Sequence, residues 1–173
     1  AHLIYYNDTD NHLMHISQTD NTDSDSWGDW EPPEIIDEMN SGQYATAAID
    51  GDAIHVLYRT STNSINHIFS PGVNFISPTG ETGRKWIKEL VVKPGYTKSH
   101  LALDLDSNGN PHLVYHNQGV NDLEYAWATQ DADGEWVWQS ESIDTEGEVG
   151  THASLVMQPV SGQIDKPHVS YYD

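Results

Sequence analysis

The chain has 173 residues and no cysteine, and 27 acidic against 7 basic side chains give it a formal net charge of −20. This charge excludes nucleic acid as a partner, because a polyanion would be repelled. The absence of cysteine excludes disulfides, thiolate metal sites and thiol nucleophiles. No apolar run approaches the roughly 18 residues of a membrane span, so we expect no membrane insertion. So acidic a surface suits a saline exterior, and we expect an extracellular or cell-surface location.

A short strand-like pattern that begins with histidine recurs four times along the chain. It occupies residues 2–6, 55–59, 112–116 and 168–172, so its copies lie 53, 57 and 56 residues apart. A fixed period in this range indicates a repeat architecture, in which each unit buries its apolar faces against its neighbours.

Three further extended runs accompany the histidine strand in each repeat. The second run covers residues 13–17, 65–69 and 123–127, and turn-forming residues join it to the first as a hairpin. The third begins at a tryptophan and covers residues 30–36, 86–91 and 138–143. The fourth is small and apolar and covers residues 46–50, 100–104 and 154–157. In the third run of the first repeat, Pro32 and Pro33 predict an edge strand, since proline cannot donate to a β-ladder.

Four short strands per repeat, without helical periodicity, predict an all-β fold of the β-propeller type built from four-stranded antiparallel blades. We interpret residues 1–173 as a single repeat domain with about three blades. Residues 1–41 form a partial blade, 42–96 a blade, 97–149 a blade and 150–173 a partial blade, with thirteen strands in total. The alternative is a plain antiparallel sandwich, which would need no period.

Three blades are too few to close a propeller, which typically has four to eight. The chain is therefore expected to be part of a larger ring, or a subunit that completes a ring or an open array with its own copies. The histidine strand at residues 167–173 duplicates the one at 2–8, and this surplus favours the larger ring. Open blade edges would also promote self-association.

Residues 108–117 read NGNPHLVYHN and residues 166–173 read KPHVSYYD. These two segments resemble a sequence repeat found in bacterial secreted and surface proteins, which contain tandem copies of the type SLALDxxGNPHISYYD. That resemblance implies a propeller and says little about activity. Residues 77–86 and 129–136 are loosely similar to the Asp-box hairpin of sialidase-type propellers, without meeting its consensus.

The pattern predicts no catalytic residues. The histidines lie one per blade, so we expect packed rings whose nitrogens bond to a neighbouring strand, in preference to a shared metal site. Sialidase chemistry needs three arginines, and the chain has only Arg59 and Arg84. Ulvan-type polysaccharide lyases, which are also propellers, use His, Tyr and Arg, and Arg59, His116 and Tyr172 lie at equivalent ends of the histidine strands.

The segment from Asp104 to Gly109 has alternating oxygen-bearing side chains like those of a calcium loop. An EF-hand calcium loop that began at Asp104 would require Glu at its twelfth position, which is occupied by Tyr115, so the EF-hand motif is excluded. The segment also matches an Asn-Gly hairpin turn. Both readings remain open: a structural turn without a cofactor, or a weak calcium site at Asp104, Asp106 and Asn108.

The ends of the histidine strands and the turns after them fall on one side of the predicted ring. Aromatic faces with amide and guanidinium donors suit sugar hydroxyls, so this rim is a candidate glycan site. Its candidate residues are Tyr6, Asn7, Arg59, Asn63, His116, Asn117, Asn121 and Tyr172. We therefore expect a non-catalytic recognition or assembly module that binds carbohydrate. The alternatives are a piece of a polysaccharide lyase or glycosidase propeller, and a structural subunit that polymerises through its blade edges.

Overall fold

The computed structural model describes residues 1–18, 28–38, 41–76, 82–93 and 97–173, and in that part of the chain the regular elements are β-strands, with no helix. Accordingly, no described segment is a helix that could cross a membrane. The strands are, in chain order, β1 (His2–Asn7), β2 (His12–Ser17), β3 (Glu34–Asp37), β4 (Ser41–Asp50), β5 (Ala53–Thr60), β6 (Ile65–Ser70), β7 (Val73–Ile76), β8 (Thr82–Arg84), β9 (Ile87–Val92), β10 (Thr97–Leu105), β11 (Pro111–Asn117), β12 (Asp122–Gln130), β13 (Trp136–Asp144), β14 (Thr151–Gln158) and β15 (Lys166–Tyr172).

Thirteen of the fifteen described strands form four successive antiparallel sheets, and β7 and β8 form a separate two-stranded sheet. Sheet 1 has the order β1-β2-β3, sheet 2 β4-β5-β6-β9, sheet 3 β10-β11-β12-β13, and sheet 4 β14-β15. Apart from the β7–β8 hairpin that intervenes before β9, each sheet uses strands that follow one another in the chain, as hairpin-rich sequences with short polar turns favour. The all-β antiparallel architecture expected from the sequence is confirmed.

Two details of the strand prediction are wrong. The described residues contain fifteen strands, because a short hairpin of β7 and β8 lies between β6 and β9. The predicted strand at 30–36 begins only at Glu34, after the two prolines, and Trp30 makes an isolated bridge to Gln18. Two adjacent residues without N–H groups cannot extend the ladder, which explains the late start. Residues 77–81 of the Asp-box-like hairpin lie outside the described residues.

The core consists of three apolar clusters, one at each boundary between successive sheets. On β5, Val56 and Tyr58 pack towards sheet 1, whereas Leu57 packs towards sheet 3. This is the alternation expected of a strand covered on both faces. Consequently β5 and β11 are almost wholly buried, while most residues of β15 are exposed. Burial of each large apolar side chain contributes about 1.5–3 kcal/mol, so the stack is held mainly by contacts between neighbouring sheets.

The first strands of neighbouring sheets also contact each other: β4 packs on β10, and β10 packs on β14. The beginnings of β4, β10 and β14 therefore lie near one another. Antiparallel pairing places the ends of β5, β11 and β15 beside them, as in the pairs Gln43–Arg59, Thr97–Asn117 and Thr151–Tyr172. We call this edge of the stack the rim.

Candidate ligand-binding rim

The backbone of the rim repeats the same unusual conformation in successive sheets. Three asparagines in the hairpin turns have positive φ: Asn11 (59°), Asn63 (59°) and Asn121 (64°). Three ring-bearing residues at bulges near the starts of β4, β10 and β14 do so as well: Tyr44 (54°), His100 (53°) and His152 (55°). Asparagine tolerates a positive φ, whereas this backbone conformation costs Tyr and His roughly 1–2 kcal/mol. Strain repeated at one place in three sheets marks the position as a candidate functional one.

The three strained bulge residues bring their rings into a row that crosses three sheets. The ring centroids of Tyr44 and His100 are 5.8 Å apart, and those of His100 and His152 are 4.1 Å apart. Tyr44 is 47% exposed, and His152 is also exposed. The row therefore presents flat faces to solvent, which is the surface that stacking against a sugar ring requires. We call Tyr44, His100 and His152 the ring row.

Arg59 supplies a cation at one end of the ring row. Its Cζ lies 4.7 Å from the centroid of the Tyr44 ring, within the range of a cation–π contact, and its Nη2 donates to the side-chain carbonyl of Gln43. In the middle of the row, burial and the nearby His152 lower the pKa of His100. Arg59 thus supplies a fixed positive charge beside the ring row.

The predicted rim residues of sheet 1 are partly buried and take part in the turn after β1. The Tyr6 hydroxyl donates to Asn11 Oδ1 at 2.6 Å. The side chain of Asn7 accepts the Thr9 N–H at 3.0 Å and donates to Asp10 at 3.0 Å. Both residues lie where the sequence placed them, but their polar groups already have partners.

The predicted asparagines of sheets 2 and 3 connect the sheets through their backbone. The carbonyl oxygen of Asn63 accepts the N–H of Thr97, and that of Asn121 accepts the N–H of Val149. Asn117 donates from its side chain to Glu124 at 3.2 Å. These residues lie at the rim, and the backbone contacts of Asn63 and Asn121 there are structural.

The remaining predicted residues differ strongly in exposure. Tyr172 is 70% exposed, Arg59 is partly exposed, and His116 is 0% exposed. The expectation that His116 lies on an open rim does not hold, because apolar neighbours on both faces of β11 enclose it. It therefore offers no surface to a ligand, and it does not join Arg59 and Tyr172 in one open site.

Sequence reasoning missed the ring row. Tyr44 and His152 lie just before the predicted strands at 46–50 and 154–157, and His100 was assigned to a regular strand. A bulge that turns a ring outward leaves no mark in hydrophobic alternation. The available signal was positional: residues 44, 100 and 152 recur with nearly the period of the histidine strand.

The repeated histidines form hydrogen-bonded chains across the sheets. In sheet 1, His2 Nδ1 lies 2.9 Å from His15 Nε2, and His15 Nδ1 lies 2.6 Å from Glu34 Oε1. Trp86 of sheet 2 donates its indole N–H to the same carboxylate at 3.2 Å. The expectation that these rings bond to a neighbouring strand is confirmed for this sheet.

Sheet 2 contains the same series of hydrogen-bonded histidines, and here they are more deeply buried. His55 Nδ1 lies 3.1 Å from His67 Nε2, His67 Nδ1 lies 2.7 Å from Glu89 Oε1, and Trp138 of sheet 3 donates to Glu89 at 2.8 Å. Burial, and then the neighbouring His67, lower the pKa of His55 to about 3. The ring is therefore neutral at physiological pH, as a structural imidazole should be.

Sheets 3 and 4 vary the pattern. In sheet 3 a tyrosine replaces the second histidine, and His112 Nδ1 lies 2.5 Å from the hydroxyl of Tyr125. In sheet 4, His168 is exposed, and its Nε2 lies 2.8 Å from Oε1 of Gln158 on β14. Each histidine thus bonds to the adjacent strand of its own sheet.

The segment predicted as a turn or a calcium loop folds as a turn. The Asp106 carboxylate accepts the backbone N–H groups of Asn108 and Asn110, at 2.9 and 2.8 Å. The Asp104 carboxylate instead accepts the N–H of Met157 in sheet 4, at 2.6 Å. Within the described ranges no group of three or more His, Cys, Asp or Glu side chains is placed to hold a metal ion. Calcium binding at Asp104, Asp106 and Asn108 stays a prediction.

Comparison with known proteins gives no match to a family model and no match to a curated protein.

Proposed function

We propose that this protein is an extracellular recognition module that binds neutral carbohydrate at the rim, on a β-propeller type of scaffold. The propeller arrangement is supported by three features of the described sheets. They follow one another in chain order, each packs on the next through an apolar cluster, and their first strands lie side by side. Such a radial order places the first strands innermost and the ring row at one end of them.

The observation that carries the carbohydrate proposal is the ring row itself. Tyr44, His100 and His152 each adopt a backbone conformation that a ring-bearing residue rarely takes, and the result in each case is a ring in the row. Recognition of a ligand accounts for the presence of three strained, partly exposed rings. A sugar would stack on the rings and accept hydrogen bonds from Arg59 and the imidazoles.

The charge of the chain favours a neutral sugar over an acidic polysaccharide. The net charge of −20 repels polyanions at long range, and Arg59 is one of only seven basic residues. A neutral glycan has no such repulsion to overcome.

The test compares the whole chain with three variants on an array of neutral and acidic glycans. His152→Gly removes one ring and also the strain at this position, so we expect the fold to be kept while binding falls by at least about threefold, the usual range of one aromatic contact. His152→Ala also removes the ring but keeps the strain, so it should lose binding and some stability. Gln158→Ala, at the opposite end of β14, is the matched control and should bind normally. Absence of any glycan signal from the unaltered chain would contradict the proposal, as would full binding by His152→Gly.

Sheet 4 favours a second function, assembly with further sheets of the same kind. In the described residues β15 pairs only with β14, this sheet exposes Val156 and Tyr172 at 58% and 70%, and Ile164 in the turn between the two strands is 90% exposed. An open sheet face with exposed apolar side chains is a pairing surface for another chain. If copies of this chain assemble through it, mass photometry at micromolar concentration should show oligomers, and Val156→Lys should convert them to monomers. A strictly monomeric protein would exclude this function.

A further inference from the structure

A tyrosine–aspartate hydrogen bond connects neighbouring sheets at two of the three boundaries. Tyr58 of sheet 2 donates its hydroxyl to Asp37 of sheet 1 at 2.5 Å, and Tyr171 of sheet 4 donates to Asp144 of sheet 3 at 2.5 Å. Both tyrosines are the fourth residue of the histidine pattern, and both aspartates end the outer strand of the preceding sheet.

The third boundary, between sheets 2 and 3, has the tyrosine without the aspartate. Tyr115 occupies the position of Tyr58 and Tyr171. The register identifies the residue that should be the acid: Asp37 pairs with Leu13, Asp144 pairs with Leu123, and in sheet 2 the equivalent Ile65 pairs with Val92. Valine cannot accept a hydrogen bond, so the connection is absent at this boundary alone.

A pocket of about 240 Å³ lies at the place where the acid is missing. Its lining residues come from the end of β9 and from the facing strands of sheet 3, and they include Val92, Tyr115, Asn117 and Trp138. Tyr115 is only 5% exposed as a residue, and no hydrogen bond joins its hydroxyl to another described residue. A new hydrogen bond contributes about 0.5–1.5 kcal/mol net, so a ligand oxygen that accepts this hydroxyl would be favoured in the pocket.

The lining indicates the chemical class of that ligand. The partly exposed Trp138 ring offers an apolar face, and Tyr115, Lys93, Gln139 and Ser140 offer polar groups around it. Glu124 is the cross-strand partner of Tyr115, and its buried carboxylate disfavours an anion beside that hydroxyl. The volume lies below the roughly 300–1,000 Å³ of pockets for drug-sized ligands. We propose that this pocket, whose lining includes none of the ring-row residues and not Arg59, binds one neutral monosaccharide unit, with a sugar oxygen accepting the Tyr115 hydroxyl in place of the missing carboxylate.

The decisive variant restores the acid. Val92→Asp should accept the Tyr115 hydroxyl as Asp37 accepts that of Tyr58, and should thereby remove the pocket's free donor. Tyr115→Phe removes the hydroxyl and keeps the ring. Val92→Thr, which is close to valine in shape and carries no charge, is the matched control. Urea unfolding of each variant establishes that it folds before binding is measured.

Binding is measured on the whole chain by NMR, with methyl glucoside, methyl galactoside and glucuronate as probes. A ligand of this size is expected to bind with a Kd on the order of 1 mM. We expect a neutral glycoside to cause saturable shifts of the Trp138 indole N–H signal. The apparent Kd should rise at least about fivefold in Tyr115→Phe and in Val92→Asp, and should stay unchanged in Val92→Thr. Arg59→Ala, at the rim, should leave these shifts intact, so this site and the proposed function can fail separately.

Three results would overturn the proposal. One is the absence of saturable shifts up to about 20 mM of either neutral glycoside. Another is undiminished binding by the folded Val92→Asp variant. The last is a response to glucuronate without a response to the neutral probes, which would show that the site selects an acid.

Discussion

The indole N–H of Trp138 in sheet 3 donates a hydrogen bond of 2.8 Å to Glu89 in sheet 2, and the same carboxylate oxygen lies 2.7 Å from Nδ1 of the buried His67. One oxygen therefore accepts bonds from within its own sheet and from the next one. Sheet 1 has the same arrangement, in which Glu34 bonds to His15 and Trp86. The carboxylate stabilises both the sheet and its boundary.

Replacement of Glu89 tests this double role. Glu89→Ala leaves a buried imidazole N–H and an indole N–H without an acceptor, so we expect the free energy of unfolding to fall by about 2–3 kcal/mol. Glu89→Gln keeps an acceptor oxygen and removes only the negative charge. Because burial lowers the pKa of His67, its ring is neutral and forms no ion pair with Glu89. The free energy of unfolding should therefore fall by less than half of the loss in Glu89→Ala. Urea unfolding gives both values, and equal losses in the two variants would contradict the hydrogen-bonding role.

The tyrosines at equivalent positions of sheets 2 and 3 provide a matched pair of stability variants. Tyr58→Phe removes a donor to the buried Asp37 and an acceptor for Asn66, so the free energy of unfolding should fall by about 1.5–3 kcal/mol. Tyr115→Phe removes a hydroxyl that bonds to no described residue, so it should change stability by less than about 0.5 kcal/mol. Similar losses in the two variants would show that the hydroxyl of Tyr115 has an acceptor in solution.

The buried, hydrogen-bonded histidines of sheet 2 make the stability of the fold dependent on pH. The pKa of His55 is about 3 in the folded chain, because of burial and then of His67, and near 6.5 when unfolded. Between these values the unfolded chain binds the additional proton, so stability is complete above about pH 7.5 and falls with pH below about 6.5. The loss approaches about 1.4 kcal/mol per pH unit for this one residue.

Urea midpoints measured at about pH 7.5, 6.5 and 5.5 follow this dependence. In His55→Gln a donor for His67 remains, but the side chain at position 55 no longer titrates. The change in stability between about pH 6.5 and 5.5 should therefore be smaller than in the unaltered protein. The same slope in both proteins would assign the pH dependence to other groups.

The sequence predicts this fold well where apolar periodicity and turn residues determine it. The histidine strands and their hairpins appear at the expected residues, because alternation and turn residues are local signals. The β7 and β8 hairpin and the late start of β3 depend on loop conformation and were not predicted. At the rim, Arg59 and Tyr172 were predicted at exposed positions, whereas the burial of His116 depends on packing from both neighbouring sheets. Val92 is identified as the position of the missing acid only by the strand register, which pairs it with Ile65 as Asp37 is paired with Leu13.

Two glycines, one at the start of β4 and one immediately before β14, allow a close approach to the preceding sheet. A Cβ atom on Gly42 would lie 2.9 Å from Leu13 Cδ1, and one on Gly150 would lie 2.9 Å from Leu123 Cβ; both glycines have positive φ, 110° and 95°. Gly147 has a similar φ of 94°, but nothing lies within 4 Å of an added Cβ. Alanine variants at the three positions can therefore distinguish the cost of a steric clash from the cost of backbone strain.

Alanine at these positions should give two distinct losses of stability. Gly147→Ala meets only the backbone strain, for which we expect about 1 kcal/mol. Gly150→Ala adds a clash with a fully buried leucine, so that sheet 4 must move away from sheet 3, and we expect at least about 2–3 kcal/mol in total. Gly42→Ala should behave like Gly150→Ala. Urea unfolding of all three variants distinguishes the effects, and a loss at Gly150 no larger than that at Gly147 would mean that the sheets are not in the close contact described.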